Sequence, residues 1–144
     1  MEQEKISFYS RDVSQSASES SPVKSSRGLL NTILDDVREM IEIECFSPRD
    51  HAMAEQIAMI IAEMAILPST SKIRIDGSDI DAWIVVQVFD RLRHEHVADV
   101  ISRFREATYE IKHIKTYLRT ALYNSVLESE ARIDNAVRAD IGEN

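Results

Sequence analysis

Residues 47–77 read SPRDHAMAEQIAMIIAEMAILPSTSKIRIDG, and this stretch decides the fold. Ser47 can accept from the free N–H groups at a helix start. Pro48 suits a first turn because its missing N–H has no partner there, and Asp50 favours the positive end of the helix dipole. Met53, Ile57, Ile60, Ile61 and Met64 then recur at helical spacing, which predicts a helix with one apolar stripe. Pro68 and the run Ser69-Thr70-Ser71 stop it. Lys72-Ile73-Arg74-Ile75 alternates with period two and runs into Asp76-Gly77, a pair suited to the positive φ angles of a tight hairpin turn. A return strand through Ile80 is expected, so a helical protein here carries a single short hairpin.

The pattern extends in both directions. Upstream, Leu30, Ile33, Leu34, Val37 and Ile41 fall on one helix face. Downstream, Asp81 is a candidate cap for a helix whose stripe is Trp83 or Ile84, then Val85, Val88, Phe89 and Leu92. Val97, Val100, Ile101, Phe104 and Ala107 form the stripe of the next helix, and Ile111, Ile114, Leu118, Ala121 and Leu122 that of the longest. Residues 126–141 continue as a weaker, acidic helix. The expected fold class is mainly α: a compact bundle of about five helices with one short β-hairpin, over residues 28–144. Residues 1–27 differ, because Ser10, Ser14, Ser16, Ser18, Ser20, Ser21, Ser25 and Ser26 alternate with charges and no apolar periodicity runs through them. They are expected to form a disordered Ser-rich tail or linker, too polar to offset the entropy of ordering.

Length and composition narrow the function classes. The 144 residues amount to one domain, and 3 Gly and 3 Pro leave little material for Gly-rich phosphate loops or a turn-rich all-β fold. The net charge of −8 argues against a protein that grips duplex DNA over its whole surface, since such binding is driven by Lys and Arg displacing counterions. That charge is unevenly spread. Residues 28–70 carry two basic side chains, Arg38 and Arg49, against eight acidic ones, a net of −6. Residues 101–124 carry five basic (Arg103, Arg105, Lys112, Lys115, Arg119) against Glu106 and Glu110, a net of +3.

On a helix, Lys112, Lys115 and Arg119 would share one stripe, with Tyr109, Tyr117 and Tyr123 interleaved. Basic and aromatic residues in this pattern can follow a single nucleic-acid strand by backbone charge and base stacking, or anchor an acidic protein partner. They can equally form a solvated face, or pair internally with the acidic first helix. Arg105, Lys112, Lys115, Tyr117 and Arg119 are the candidate partner- or nucleic-acid-binding residues.

Other constellations carry little. His94-Glu95-His96 places two imidazoles at i and i+2, about 200° apart on a helix and unable to share one ion; His94 and Glu95 are expected in an interhelical turn that caps the next helix. The carboxylates Asp35, Asp36, Glu39, Glu42 and Glu44 have no sign of a desolvating pocket. Cys45 sits among apolar residues, where a thiol is normally inert packing, and as the single cysteine it has no intramolecular disulfide partner. Phosphate-loop, dinucleotide and nucleophile-elbow motifs are absent, so no enzyme, metal site or cofactor is expected. The most apolar run, Ile57–Leu67, is short of the roughly 20 residues of a membrane span, and the acidic N-terminus does not read as a secretory signal. A cytoplasmic protein is expected.

Four segments then acquire a further meaning. Val37-Arg38-Glu39-Met40-Ile41-Glu42-Ile43, Ile73-Arg74-Ile75-Asp76-Gly77, His94-Glu95-His96-Val97, and Ile111-Lys112-His113-Ile114-Lys115-Thr116-Tyr117-Leu118-Arg119-Thr120-Ala121-Leu122-Tyr123-Asn124 occur in this order. Together they resemble the C-terminal domain of the replication initiator A proteins of plasmids and integrative elements of Gram-positive bacteria, over about residues 30 to 135. The family commonly has Asn where this chain has Met40, and a Tyr-Tyr pair where it reads Arg132-Ile133-Asp134-Asn135.

The resemblance implies a helical module similar to the DnaD-like domains of primosome proteins. In that family a winged-helix domain that binds origin repeats precedes the module across a flexible linker, which residues 1–27 resemble, so origin binding is expected from the winged helix. The module itself is expected to recruit host replication proteins, primase or helicase-loading components, or to contact single-stranded DNA. The alternative is a structural domain that forms a homo-oligomer and has no nucleic-acid role.

Overall fold

A capped helix, a stop and a hairpin are what residues 47–77 form in the computed structural model, which describes residues 22–141, with side chains from 27 to 139. In chain order the elements are α1 (Pro22–Met40), a 3₁₀ turn (Ile43–Cys45), α2 (Pro48–Ala65), β1 (Lys72–Ile75), β2 (Ser78–Asp81), α3 (Ala82–Phe89), α4 (His94–Glu106) and α5 (Ile114–Ile141). This is a mainly α fold of five helices with one two-stranded hairpin among the described residues. Helix α1 starts at Pro22, six residues before the boundary that composition suggested, and a proline is well placed in a first turn. Residues 1–21 of the expected tail lie outside the described residues.

Helix α2 is the centre of the bundle. Ser47 Oγ accepts from Asp50 N at 3.4 Å, and Pro48 opens the first turn. The helix touches α1, α3, α4 and α5. It can do so because two faces are buried: Ile57, Ile60, Ile61 and Met64 on one, and Ala54, Ala58, Ala62 and Ala65 on the other. The alanine ridge lets neighbouring backbones approach closely. A single apolar stripe was expected, and the small residues that make the second face carried no hydrophobic signal of their own.

The hairpin pairs Lys72 with Asp81, Ile73 with Ile80, Arg74 with Asp79 and Ile75 with Ser78. Asp76 (φ 54°) and Gly77 (φ 79°) both take positive φ, the requirement of a type I′ turn. Ile73 and Ile75 enter the core, while Lys72–Asp81 and Arg74–Asp79 form ion pairs across the outer face. Asp81 does stand at the N-cap position of α3, but its carboxylate binds Lys72 and makes no cap hydrogen bond. In α3, Ile84 is half-buried and Val86 buried, whereas Trp83 is 46% exposed.

Helix α5 is a single run of 28 residues, about 42 Å at 1.5 Å per residue. Leu118, Leu122 and Val126 are fully buried. Beyond Val126 the helix is held by Arg103–Glu128 (3.7 Å) and Arg91–Glu130 (2.7 Å), then runs on with Ile133 and Val137 exposed. No helix of the described residues is long and apolar enough to cross a membrane.

Candidate functional site

The basic residues of 101–124 do not form the outward stripe expected of them. Helix α5 begins at Ile114, so Lys112 lies in the connection after α4 and shares no helical register with Lys115 and Arg119. Arg105, in the last turn of α4, reaches the start of α2, where Nη2 donates to Asp50 Oδ1 and to Arg49 O (3.4 Å). Lys115 Nζ stands 2.7 Å from Glu63 Oε1 at the other end of α2. Two cations of the positive segment are thus spent on two anions of the negative one, and the internal pairing falls on α2 rather than on the first helix. Arg119 is half-buried, and its Nε is buried without a hydrogen-bond partner. Lys112 is exposed and has no ion pair among the described residues.

Tyr117 turns inward. Its ring centroid lies 5.9 Å from that of Phe104, tilted by 55°. Burial, and then the neighbouring Tyr109, push its phenol above the usual range. Tyr109 itself is 64% exposed. Next to them the hairpin and the first half of α5 enclose an open cleft of about 430 Å³, lined by Arg74, Asp76, Gly77, Thr116, Tyr117, Thr120, Ala121 and Asn124. Asn124 Nδ2 donates to Asp76 Oδ2 at 3.1 Å and clamps the turn to the helix. Thr116, Thr120 and Asn124 stand in the segment quoted for the resemblance but were not among the candidate site residues, although their i, i+4, i+8 spacing marks a polar stripe on one helix face.

The segments Val37–Ile43 and His94–Val97 also meet. His94 Nδ1 lies 3.1 Å from Ile41 O; a carbonyl only accepts, so Nδ1 carries the proton and donates. The His94 ring packs on Phe46 with centroids 4.2 Å apart. The helix runs from His94, so His94 and Glu95 are the first residues of α4 and not part of a turn before it. The cap comes from His96, whose Nδ1 accepts from Arg93 N at 2.9 Å.

Burial lowers the His96 pKa, against an opposing pull from Glu95, with Arg93 lowering it further. The protonated form is thus favoured in the unfolded chain. Between the lowered value and the ordinary one of about 6.5, stability rises with pH, is fully present above that window and is lost as pH falls through it. Thermal melts between neutral and mildly acidic pH are expected to show a larger fall for the native chain than for His96→Gln, whose amide keeps an acceptor but does not titrate. Equal falls would refute the assignment.

Cys45 is exposed, contrary to the packing role expected for it. In a 3₁₀ turn residues i and i+3 eclipse, so Ile43 and Phe46 share the buried side and Cys45 faces away. Among the described residues no three His, Cys, Asp or Glu side chains are placed to hold a metal ion.

Fold and site thus define a helical module with an open cleft between its hairpin and its last helix. The chain belongs to DUF6017, a family of unknown function, whose model matches residues 8–141. Neither a curated protein nor a solved structure matches it.

Proposed function

We propose that this chain is a non-enzymatic interaction module of DNA replication initiation, cytoplasmic and DnaD-like, that recruits host primosome components such as primase or helicase-loading proteins. The observation that carries this reading is the meeting of Asp76 with Asn124. Two of the four segments that resemble replication initiator A proteins come together there, and the cleft they build opens to solvent. Recruitment of a protein is favoured over contact with single-stranded DNA, since Arg105 and Lys115 stand against Asp50 and Glu63, whose negative charge opposes a phosphate backbone, and only Lys112 and Arg119 of the candidate cations have no ion pair among the described residues.

The test is retention of purified host primase and helicase-loading proteins on the immobilised chain. One of them is expected to bind, more weakly as salt rises, and Lys112→Glu combined with Tyr109→Ala is expected to lower retention about tenfold without a change in melting. No retention, or retention that this double variant leaves unchanged, would overturn the proposal. Strong salt-dependent binding of oligo(dT) would return single-stranded DNA to the first place.

A second reading, self-association, has its own observation in α5, where Ile133 (62% exposed) and Val137 (53%) continue the buried Leu122 and Val126 face beyond the bundle. Light scattering that finds a salt-insensitive dimer, lost in Ile133→Asp, would favour it.

A further inference from the structure

We infer that the cleft between the hairpin and α5 is the docking place of this chain's own segment around Phe8 and Tyr9. The inference does not rest on the replication reading; it names what fills the cleft before any partner arrives.

The cleft suits a ring. At about 430 Å³ it exceeds the volume of one Phe side chain, and much of its wall is carbon: the Tyr117 ring, Ala121 and the methyl groups of Thr116 and Thr120. It stands preformed, because the type I′ turn fixes Asp76 and Gly77 and Asn124 ties that turn to α5. A preformed hollow of this kind gains by taking an aromatic side chain out of water.

The occupant is argued from the chain. The family match reaches back to residue 8, well before the first helix opens at Pro22, so the segment that starts with Phe8 belongs to what the family shares. Phe8 and Tyr9 are the only aromatic residues before Phe46. Around them, residues 6–13 carry Arg11 and Asp12 and no net charge, and the wall likewise holds one cation and one carboxylate, Arg74 and Asp76. No charge of either sign is asked of the occupant, and recognition falls to the burial of the ring.

Its reach follows from the bundle. Arg38 pairs with Glu55 at 3.1 Å across α1 and α2, which their short connection makes antiparallel. From Arg38 back to Pro22 is about 24 Å of helix, and from Glu55 on to Ala65 about 15 Å, so α1 begins beyond the end of α2. Lys115, at 2.7 Å from Glu63, sets the start of α5 at that same end, and the hairpin follows α2 there. Phe8 precedes Pro22 by 14 residues, a length of chain that extends up to about 45 Å and so reaches the cleft from the start of α1.

A tethered occupant competes with every ligand that comes from outside. Its effective concentration is of order millimolar, so a partner of the cleft meets a site already taken and binds more weakly than it would to the open cleft.

The experiment compares nitrogen-15 spectra of the full chain with those of Phe8→Ala and of Ser7→Ala, a control in the same segment. Phe8→Ala is expected to shift the amides of Gly77, Thr116, Thr120 and Asn124, and Ser7→Ala to leave them in place. A peptide of residues 3–14 is expected to return them to their native positions in the Phe8→Ala chain, and to bind the native chain at least about tenfold more weakly. The same peptide with Ala for Phe8 is expected to do neither. The inference is overturned if the native and Phe8→Ala spectra coincide at the cleft, if Ser7→Ala moves those amides as far, or if the changes fall at the Ile133–Val137 end. Cleft shifts that fade as the native chain is diluted assign the segment to a second copy and overturn it as well. Coinciding spectra leave the retention test of the proposed function untouched, and failure of every host protein in that test leaves the docked segment standing.

Discussion

Leu118→Ala is expected to destabilise the chain by about 2–5 kcal/mol, enough to lower Tm by roughly 10 °C. Leu118 is fully buried on α5, the helix that packs on α2, α3, α4 and β1 together. Truncation removes its transfer free energy and leaves a cavity that four fixed elements cannot collapse into. The informative comparison is Ile114→Ala. Ile114 belongs to the same apolar stripe of the sequence, yet it is 41% exposed in the first turn of α5, and its truncation is expected to cost less than about 1 kcal/mol. Urea denaturation of the two variants measures the difference, and similar losses would contradict the packing described for α5.

The second large effect comes from adding atoms. Ala58→Leu is expected to cost about 1–3 kcal/mol, because Ala58 has no exposed surface and stands in the ridge where α2 meets its neighbours. Helix propensity does not account for this, since Leu and Ala are both good helix formers. Ala52→Leu, on the exposed face of the same helix, supplies the control and is expected to stay within about 0.5 kcal/mol of the native chain. If both substitutions prove neutral, α2 is not enclosed on two sides.

These substitutions also mark how far the sequence could be read. The Ser47-Pro48 start of α2, the Pro68 stop and the Asp76-Gly77 turn were legible because each is a local rule: a cap, a missing N–H and a pair of positive φ angles act within a few residues. Helical stripes such as Val97, Val100 and Ile101 were legible for the same reason. The depth of α2 was not, since Ala54, Ala58 and Ala62 are equally at home in an exposed helix, and only the close approach of partner helices makes them core.

The candidate site was legible in part. One wall of the cleft, from Thr116 to Asn124, lies in the segment that its charge had already set apart, and the other comes from the hairpin. The roles of the site's residues could not be read. Arg105 and Lys115 looked free because their anions, Asp50 and Glu63, lie more than fifty residues earlier and become neighbours only when α2 is enclosed. His96 was weighed as a metal ligand, and its use as a cap depends on the rotamer and on where α4 begins.

By itself, then, the sequence determined which segments are helices, where the one hairpin turns and that positive charge gathers in residues 101–124. Tertiary structure alone decided which of those charges remain available, which alanines are core and that Asp76 and Asn124 close one end of a cleft. The division has a physical cause. Caps, turns and amphipathic periods are set by interactions within one or two turns of chain, whereas ion pairs, close helix packing and clefts join residues far apart in sequence, whose partners are chosen by the packing of the whole bundle.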